Sequence, residues 1–493
     1  MLTVEEIKQF IEIDAVSELK KQARKGEAYY NAEHDIKDTR IFYFNKDGTL
    51  IEDKTRNNAK ISHPFFTELV DQATMHLLSG EEGFVKSKIP ELQAEMDAYF
   101  NENEDFAAEF AEVITGCQVK GFDYMFAYKN AEDRTAFQCA DSIGVIEVEA
   151  RFADDGKDHV IYWYTDRVDK DGKEIKKIMD WDDEATYCYK QSDNGEIEPD
   201  DCAEDGTNVK PHIVYQAGKN GAMQGVSLGY IPFFRLDNNK KKVYSLKPVK
   251  DIIDDYDLHS SSLTNNLVDF DAPIYGVKGF LGDNLDELAL NLKSRKVMGL
   301  PEEGEIEVHT IEIPYQARKE KLEIDEKDIY QFGMGLNTAG LKDTNATTNM
   351  TVKTLYALLD IRCSKLRDRI KQFLRKIIKV VLDEINEKNG TDYQQKDIYF
   401  NFKPEYMTNK EENARIELTQ AQKRQTEINT LLGLATRLDN ETVMKLICEQ
   451  LDVEWEEIKN KLPDPDEANT SINDAQNALN GVVVEGGEPN ASI

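Results

Sequence analysis

The side chains best spaced to do chemistry are the aspartates of DIIDDYD: Asp251, Asp254, Asp255 and Asp257. Carboxylates three and four residues apart share one face of a helix, and such a face can hold a magnesium ion. Asp251, Asp254 and Asp255 fall on a common face, away from the apolar stripe of their segment. No second carboxylate cluster of matching spacing answers it, so the plainer reading is a solvated acidic face. A metal-dependent enzyme built on the 251–257 face stays open only as an alternative. Asp182, Asp183 and Glu184 in WDDEATYCY sit between strand-like stretches and read as a turn. The seven histidines are scattered without an HExxH frame, and GxxxxGK[ST] does not occur. The six cysteines form no CxxC pair and read as free thiols. These patterns assign no catalytic residue, no cofactor and no metal.

The elements that would have to position any site come next. Ile7, Phe10, Ile11, Val16 and Leu19 predict an opening amphipathic helix running on towards Tyr30. IFYF leads into a turn at Asp47–Gly48, and a helix follows from Pro64 to Gly80. A further helix is expected over Ile89 to Ile114. From Gly121 the period changes to two. FDYMFAYKN, IGVIEVEARF, HVIYWYTDRV and ATYCYKQ predict an antiparallel meander, and GYIPFFRLDNNKKK closes that region.

Leu246 to about Val268 reads as a helix of roughly 35 Å. A small α/β patch follows: the strand APIYGVKGF, the helix LDELALNLKSRKVM and the strand EIEVHTIEIP. A short helix is expected around Ile324 to Leu336. A long one follows from Thr351 to about Asn389, with an apolar stripe from Val352 to Ile385. Its other faces carry Lys353, Arg362, Lys365, Arg367, Arg369, Lys371, Arg375, Lys376 and Lys379, which read as a solvated basic face. IYFNFKPEY predicts one more strand, and the chain is helical again from about Lys410 to Leu462 before a flexible tail.

Between the last two helices of the central region lies NTAGLKDTNATTNM, residues 337–350. Compact domains usually join helices with about 2 to 8 residues, so this polar, nearly uncharged segment is long for a connector. The 493 residues suffice for several domains. The net charge of −33 opposes a surface that clasps nucleic acid and suits one that repels a polyanion. No apolar run approaches a membrane span, and the acidic opening MLTVEEIKQFIEID is not a signal peptide, so folding in cytoplasm is expected.

The order of these elements resembles the portal proteins of tailed double-stranded DNA bacteriophages, of the type found in long-tailed phages of Gram-positive hosts. NNAKISHPFFTELVDQATMHLLSG is similar to the family's amino-terminal N-rich loop and helix. The more specific likeness is IPFFRLDNNKKKVYSLKPVKDIIDDYDLHSSSLTNNLVDFDAPIYGVKGFLGDNLDELALNLKSRKVMGL, and TVKTLYALLDIRCSKLRDRI resembles the start of the family's long helix. These stretches span most of residues 55 to 405. One departure is Thr348, Asn349 and Met350, where the family commonly has a serine–glycine pair.

The resemblance implies an α+β, predominantly helical portal fold with wing, stem, clip and crown. Subunits, usually twelve, would assemble as a ring with a central channel. On that mapping 1–243 is wing, 244–270 a stem helix, 271–314 the clip and 315–336 a second stem helix. Residues 337–350 become a tunnel loop, 351–410 the long wing helix and strand, 411–480 a helical crown and 481–493 a flexible tail. Lys342, Asp343, Thr344, Asn345, Thr347, Thr348 and Asn349 would face DNA. Asp283, Asn284, Asp286, Glu287, Lys293, Arg295, Lys296, Glu302 and Glu303 would dock the motor and then an adaptor.

The implied partners are further copies of the chain, double-stranded DNA read without sequence specificity, terminase, a head-completion or adaptor protein, and scaffolding and major capsid proteins, with no membrane. The implied location is the capsid portal vertex of the virion, and the implied role is genome packaging, retention and ejection without enzymatic activity. Twelve copies would carry roughly −400 charges, so subunit faces would need local complementarity, for which the basic long helix against Asp251 to Asp257 is one source. An inert linker at 337–350, and another head–tail connector or minor head protein, are the competing readings.

Overall fold

A computed structural model of the chain describes residues 1–54, 56–80, 83–130, 134–149, 157–168, 172, 174–191, 195–203, 206–216, 223–270, 274–278, 305–309, 314–337, 349–402, 410–434 and 440–450. It divides into two compact units, residues 1–346 with 351–406, and residues 347–350 with 407–493.

The opening helix is two helices, α1 (Val4–Ala15) and α2 (Glu18–Tyr30). Ser17 breaks the run, because its side chain caps α2 by accepting from the Lys20 amide. Strands β1 (Phe42–Phe44) and β2 (Leu50–Glu52) form a hairpin of their own. Helix α3 (Phe65–Leu78) starts after Pro64 and leads to β3 (Val85–Ser87). The helix expected over 89–114 is divided. Helix α4 (Pro90–Met96) runs into a π-helical turn at 97–101, and α5 (Glu104–Lys120) restarts where Asn103 accepts from the Phe106 amide.

Among the described residues the β-rich region makes three sheets rather than one meander. Strand β4 (Phe122–Lys129) pairs with β5 (Thr135–Ala140) and with β14 (Phe233–Asp237), so the segment closing the region returns to its first strand. The meander proper is β6 (Val145–Glu149), β7 (Lys157–Val168), β8 (Glu174–Trp181) and β9 (Ala185–Gln191), with β10 (Ile197–Pro199) and β11 (Val209–Pro211) both on β9. Strands β12 (Ile213–Gln216) and β13 (Met223–Val226) pair with each other. The sequence reading passed over β5 and β8, since TAFQCA is mostly small and EIKKIMDW carries two lysines. All described pairings are antiparallel.

Helix α6 (Lys250–Phe270) and α7 (Tyr315–Phe332) pack side by side in opposite directions. Between them, β15 (Ile274–Lys278) and β16 (Glu305–His309) pair with Ile274 opposite His309. Helix α8 (Asn349–Asn389) supplies Leu359, Cys363, Leu366, Ile370, Phe373, Leu374, Ile377, Ile378, Val381, Leu382 and Ile385 to the largest core, against α4 and α5. From Leu359 onward that is the predicted stripe, in register; the side chains of Val352 and Leu355 lie outside those described. Strand β17 (Ile398–Phe400) then pairs with β3. In the second unit α9 (Lys410–Leu434) lies against α10 (Asn440–Gln450). No described helix is long and apolar enough to cross a membrane.

Candidate functional site

Lys342, Asp343, Thr344, Asn345, Thr347 and Thr348 lie outside the described residues, and Asn349 is placed only as the first residue of α8. The docking candidates Asp283, Asn284, Asp286, Glu287, Lys293, Arg295, Lys296, Glu302 and Glu303 lie outside them too, as does the 481–493 tail. The structure does describe the framework from which the 337–350 segment departs and the helix to which it returns.

Helix α7 ends in a Schellman turn. The Gly335 amide donates to the Tyr330 carbonyl at 2.9 Å, and the Met334 amide to that of Gln331 at 3.4 Å. Met334 adopts φ +53°, a left-handed conformation that glycine usually takes at this position. Gly335 itself lies so close to Leu69 of α3 that an added Cβ would collide with the leucine side chain. The next residue is held from the same helix: Gln72 Nε2 donates to the Leu336 carbonyl at 2.9 Å, and its Oε1 accepts from the Leu336 amide at 2.8 Å.

The returning helix reaches the same place through Arg362. Its guanidinium donates to the carbonyls of Leu69 at 3.0 Å and Gly333 at 3.1 Å, and to Gln118 Oε1 at 2.8 Å. Part of the residue still meets solvent, but the charged end is packed round by protein, and that burial pulls its pKa down to about 10. A nearby hydrogen bond joins His76 of α3 to Asp360 of α8 at 2.8 Å, with Tyr356 stacked on the histidine ring. The long helix is therefore not basic on a wholly solvated face. One of its arginines ties α8 to α3, α5 and the end of α7.

The aspartates of α6 correct a second expectation in part: Asp251 is exposed, as a solvated acidic face requires, but Asp254, Asp255 and Asp257 have partners. Asp254 accepts from Lys250 at 2.6 Å and from the Tyr29 hydroxyl, and Asp255 pairs with Lys321 of α7. Asp257 is wholly buried between two imidazoles, with His34 Nδ1 at 2.5 Å and His63 Nδ1 at 2.8 Å. Burial pushes its carboxyl pKa up, but hydrogen bonds from His34, His63 and the His63 amide outweigh that and hold it below the usual range. The other nitrogen of His34 faces the Tyr29 carbonyl at 3.2 Å, so both edges of that ring meet acceptors. Both Nδ1 atoms are thus spent on one carboxylate. Among the described residues no group of three or more His, Cys, Asp or Glu is arranged to hold a metal ion.

Asp257 is also the first rung of a ladder. The amides of His63, Ile61 and Ala59 donate to Asp257 Oδ1, Ser261 Oγ and Asn265 Oδ1 at 3.0, 3.0 and 2.7 Å, and the Asn57 side chain donates to Asp269 at 2.6 Å. Every second residue of an extended strap meets every fourth residue of a helix. The rises agree, since two extended residues advance about 6.6 Å and four helical ones about 6.0 Å. The visible signal was the polar i, i+4 series Asp257, Ser261, Asn265 and Asp269 opposite NNAKISH. Sequence reasoning weighed the acidic residues as a metal face and missed the ladder.

The family model described as "Phage portal protein, SPP1 Gp6-like" matches residues 10–460. The chain belongs to that portal protein family. It is similar to the portal protein of Bacillus phage SPP1, 26% identical over 358 residues, which cover 71% of this chain and 67% of that protein. It is similar also to the portal protein of Clostridium phage phiCD119, 26% identical over 397 residues, 77% of this chain and 82% of that one. Among solved structures, a chain from the neck of an empty GTA particle computed with C6 symmetry aligns with 13% identity and a TM-score of 0.39, covering 78% of this chain and 90% of that one. For this portal-family chain, the ladder and the Arg362 node are the described parts that brace the helix pair and the base of the 337–350 segment.

Proposed function

We propose that this chain is the subunit of a ring-shaped channel at one capsid vertex, through which double-stranded DNA is packaged, retained and ejected. The observation that carries the reading is the portal family match across residues 10–460. The subunit is assigned a wing (1–243 and 351–410), a stem (244–270 and 315–336), a clip (271–314), a tunnel loop (337–350) and a crown (411–480). The clip presents its charged residues first to the terminase motor and afterwards to a head-completion protein; ATP hydrolysis belongs to the motor. Scaffolding and major capsid proteins surround the wing.

The physical chemistry supports a conduit. A net charge of −33 per chain keeps DNA from adhering to the walls. Asparagine, threonine and a single Lys342 suit weak, sequence-blind contact at a loop tip. The expected complementarity between the basic long helix and Asp251–Asp257 needs revision, because Asp254, Asp255 and Asp257 have partners within their own chain. Subunit contacts must use other surfaces.

Electron microscopy of the purified full-length protein tests the reading. A turbine-shaped ring with a central hole is expected, usually of twelve subunits. A protein that stays monomeric at high concentration, or forms a disc without a stem, would overturn it, and the disc would favour a different head–tail connector.

A further inference from the structure

The outer edge of β9 has a gap, and a cysteine sits in it. Strand β9 pairs with β10 from Tyr189 to Gln191 and with β11 from Ala185 to Tyr187, while β8 takes its other edge. Cys188 falls between the two ladders. Its carbonyl accepts from the Asp200 amide at 3.0 Å, and its amide donates to the Asn208 carbonyl at 2.8 Å. The chain therefore departs from β9 at Asp200 and returns to it at Asn208. Close to the departure stands Cys202, whose amide donates to the Thr207 carbonyl at 3.1 Å.

Successive side chains of a strand point to opposite faces. Tyr189 fills a core together with Ile178 on one face of the sheet, so Cys188 points to the other. There the buried Cys188 and the half-buried Cys202 line one small hollow of about 90 Å³, beside Tyr164, Met179 and Lys210. The two thiols feel each other. Burial first, and then the Cys202 side chain, push the Cys188 thiol up to about 12, and the Lys210 ammonium acts against them. Cys117 and Cys363 instead spend their thiols on the carbonyls of Ile114 and Ala73.

We propose that Cys188 and Cys202 are a redox-sensitive pair, oxidised by small disulfides of the glutathione class to a disulfide that staples the departing chain to β9. The half-buried Cys202 reacts first. It gives its proton to water, and the thiolate attacks one sulfur of oxidised glutathione. The S–S bond of the reagent breaks, and one glutathione leaves as a thiolate that takes up a proton. The Cys188 thiolate, favoured by Lys210, then attacks the Cys202 sulfur of the mixed disulfide, and the second glutathione leaves in the same way. The two cysteines lose two electrons and two protons in all, and the glutathione disulfide gains them. The inference is independent of the channel reading.

Its test treats the native full-length protein with oxidised glutathione, blocks the remaining thiols with iodoacetamide in urea, and maps the tryptic peptides by mass spectrometry. Trypsin cuts after Lys190, which puts the two cysteines in separate peptides. A linked pair of peptides, two hydrogens lighter than their sum and parted by dithiothreitol, is expected. Cys188→Ser should stop with one glutathione on Cys202, and Cys202→Ser should leave Cys188 unmodified. In the oxidised wild type, hydrogen exchange of the Cys202 amide should slow by at least about tenfold, because a cross-link across a short loop removes most of its open states. Thiols that stay reduced, a glutathione retained on Cys202 of the wild type, or a link to a different cysteine would each overturn the pair. A disulfide that leaves the exchange rate unchanged would overturn the staple.

Discussion

Gln72 holds Leu336 by both backbone groups, accepting from its amide at 2.8 Å and donating to its carbonyl at 2.9 Å. A side-chain amide used this way imitates a strand partner, and it fixes the point at which the 337–350 segment leaves the α3 surface. A Gln72→Leu variant keeps most of the volume and loses both bonds, a destabilisation of about 1–3 kcal/mol. Hydrogen exchange should show the Leu336 amide losing protection while the His63 amide keeps its own. Unchanged exchange at Leu336 would refute the clamp.

Arg362 extends that anchorage to three elements. An Arg362→Met substitution leaves the Leu69 and Gly333 carbonyls and Gln118 Oε1 short of a donor, and should destabilise the first unit by about 2–4 kcal/mol. Arg362→Lys keeps the charge but cannot span all three acceptors, so it should recover only part of the loss. Urea midpoints compare the three proteins. A shift below about 0.5 kcal/mol for the methionine variant would reduce Arg362 to a surface residue.

Acid should loosen the strap. Asp257 has a folded pKa below its unfolded value, and Glu384, hydrogen-bonded by Lys388, the Thr135 amide and Lys129, is held at about 2 despite its burial. A carboxyl depressed on folding contributes stability that is complete above its unfolded pKa and is lost as pH falls through the folded one. Unfolding free energy should therefore decline from about pH 4.5 towards pH 2. Asp257→Asn should cost about 3 kcal/mol at neutral pH and flatten the acid limb, because a carboxylate buried against two histidines has gone. An acid limb of unaltered slope would place the titration elsewhere.

Asp254, Asp255 and Asp257 are occupied by lysines, tyrosine and histidines, so calorimetric titration with magnesium or manganese should give no tight binding. Tight binding abolished by Asp254→Ala together with Asp255→Ala would restore the metal-face alternative.

For the 337–350 segment the expected phenotype is functional rather than structural. A Lys342→Glu, Thr348→Glu double variant should assemble normally and package less DNA, since two added carboxylates repel a polyanion in a narrow passage. Packaging at the wild-type level would return the segment to the status of a linker.

The elements legible in the sequence were those whose burial has one clear period. Helix α8 was readable from Leu359 to Ile385 because a single stripe fills one core. The ends and breaks were harder, as at Ser17 and at 97–101, where local capping and a π-turn override a continuous apolar pattern. Strand β4 misled because it is buried on both faces, pattern and all, and so gives no hint of which sheet it joins. The Asp257 ladder was hidden for a different reason. Its partners lie about 200 residues apart, and three of its four donors are backbone amides, so only the acceptor series on the helix marks the sequence.

The pairing of β3 with β17 joins Ser87 to Ile398. Everything between them has to be synthesised before that bond pattern can close, roughly 15 to 60 s at bacterial elongation rates. During that interval α4 and α5 display Leu92, Phe110 and Ile114 without the α8 side chains that later cover them. Translation order thus acts as a timer, keeping an unfinished chain from offering a finished surface to its siblings.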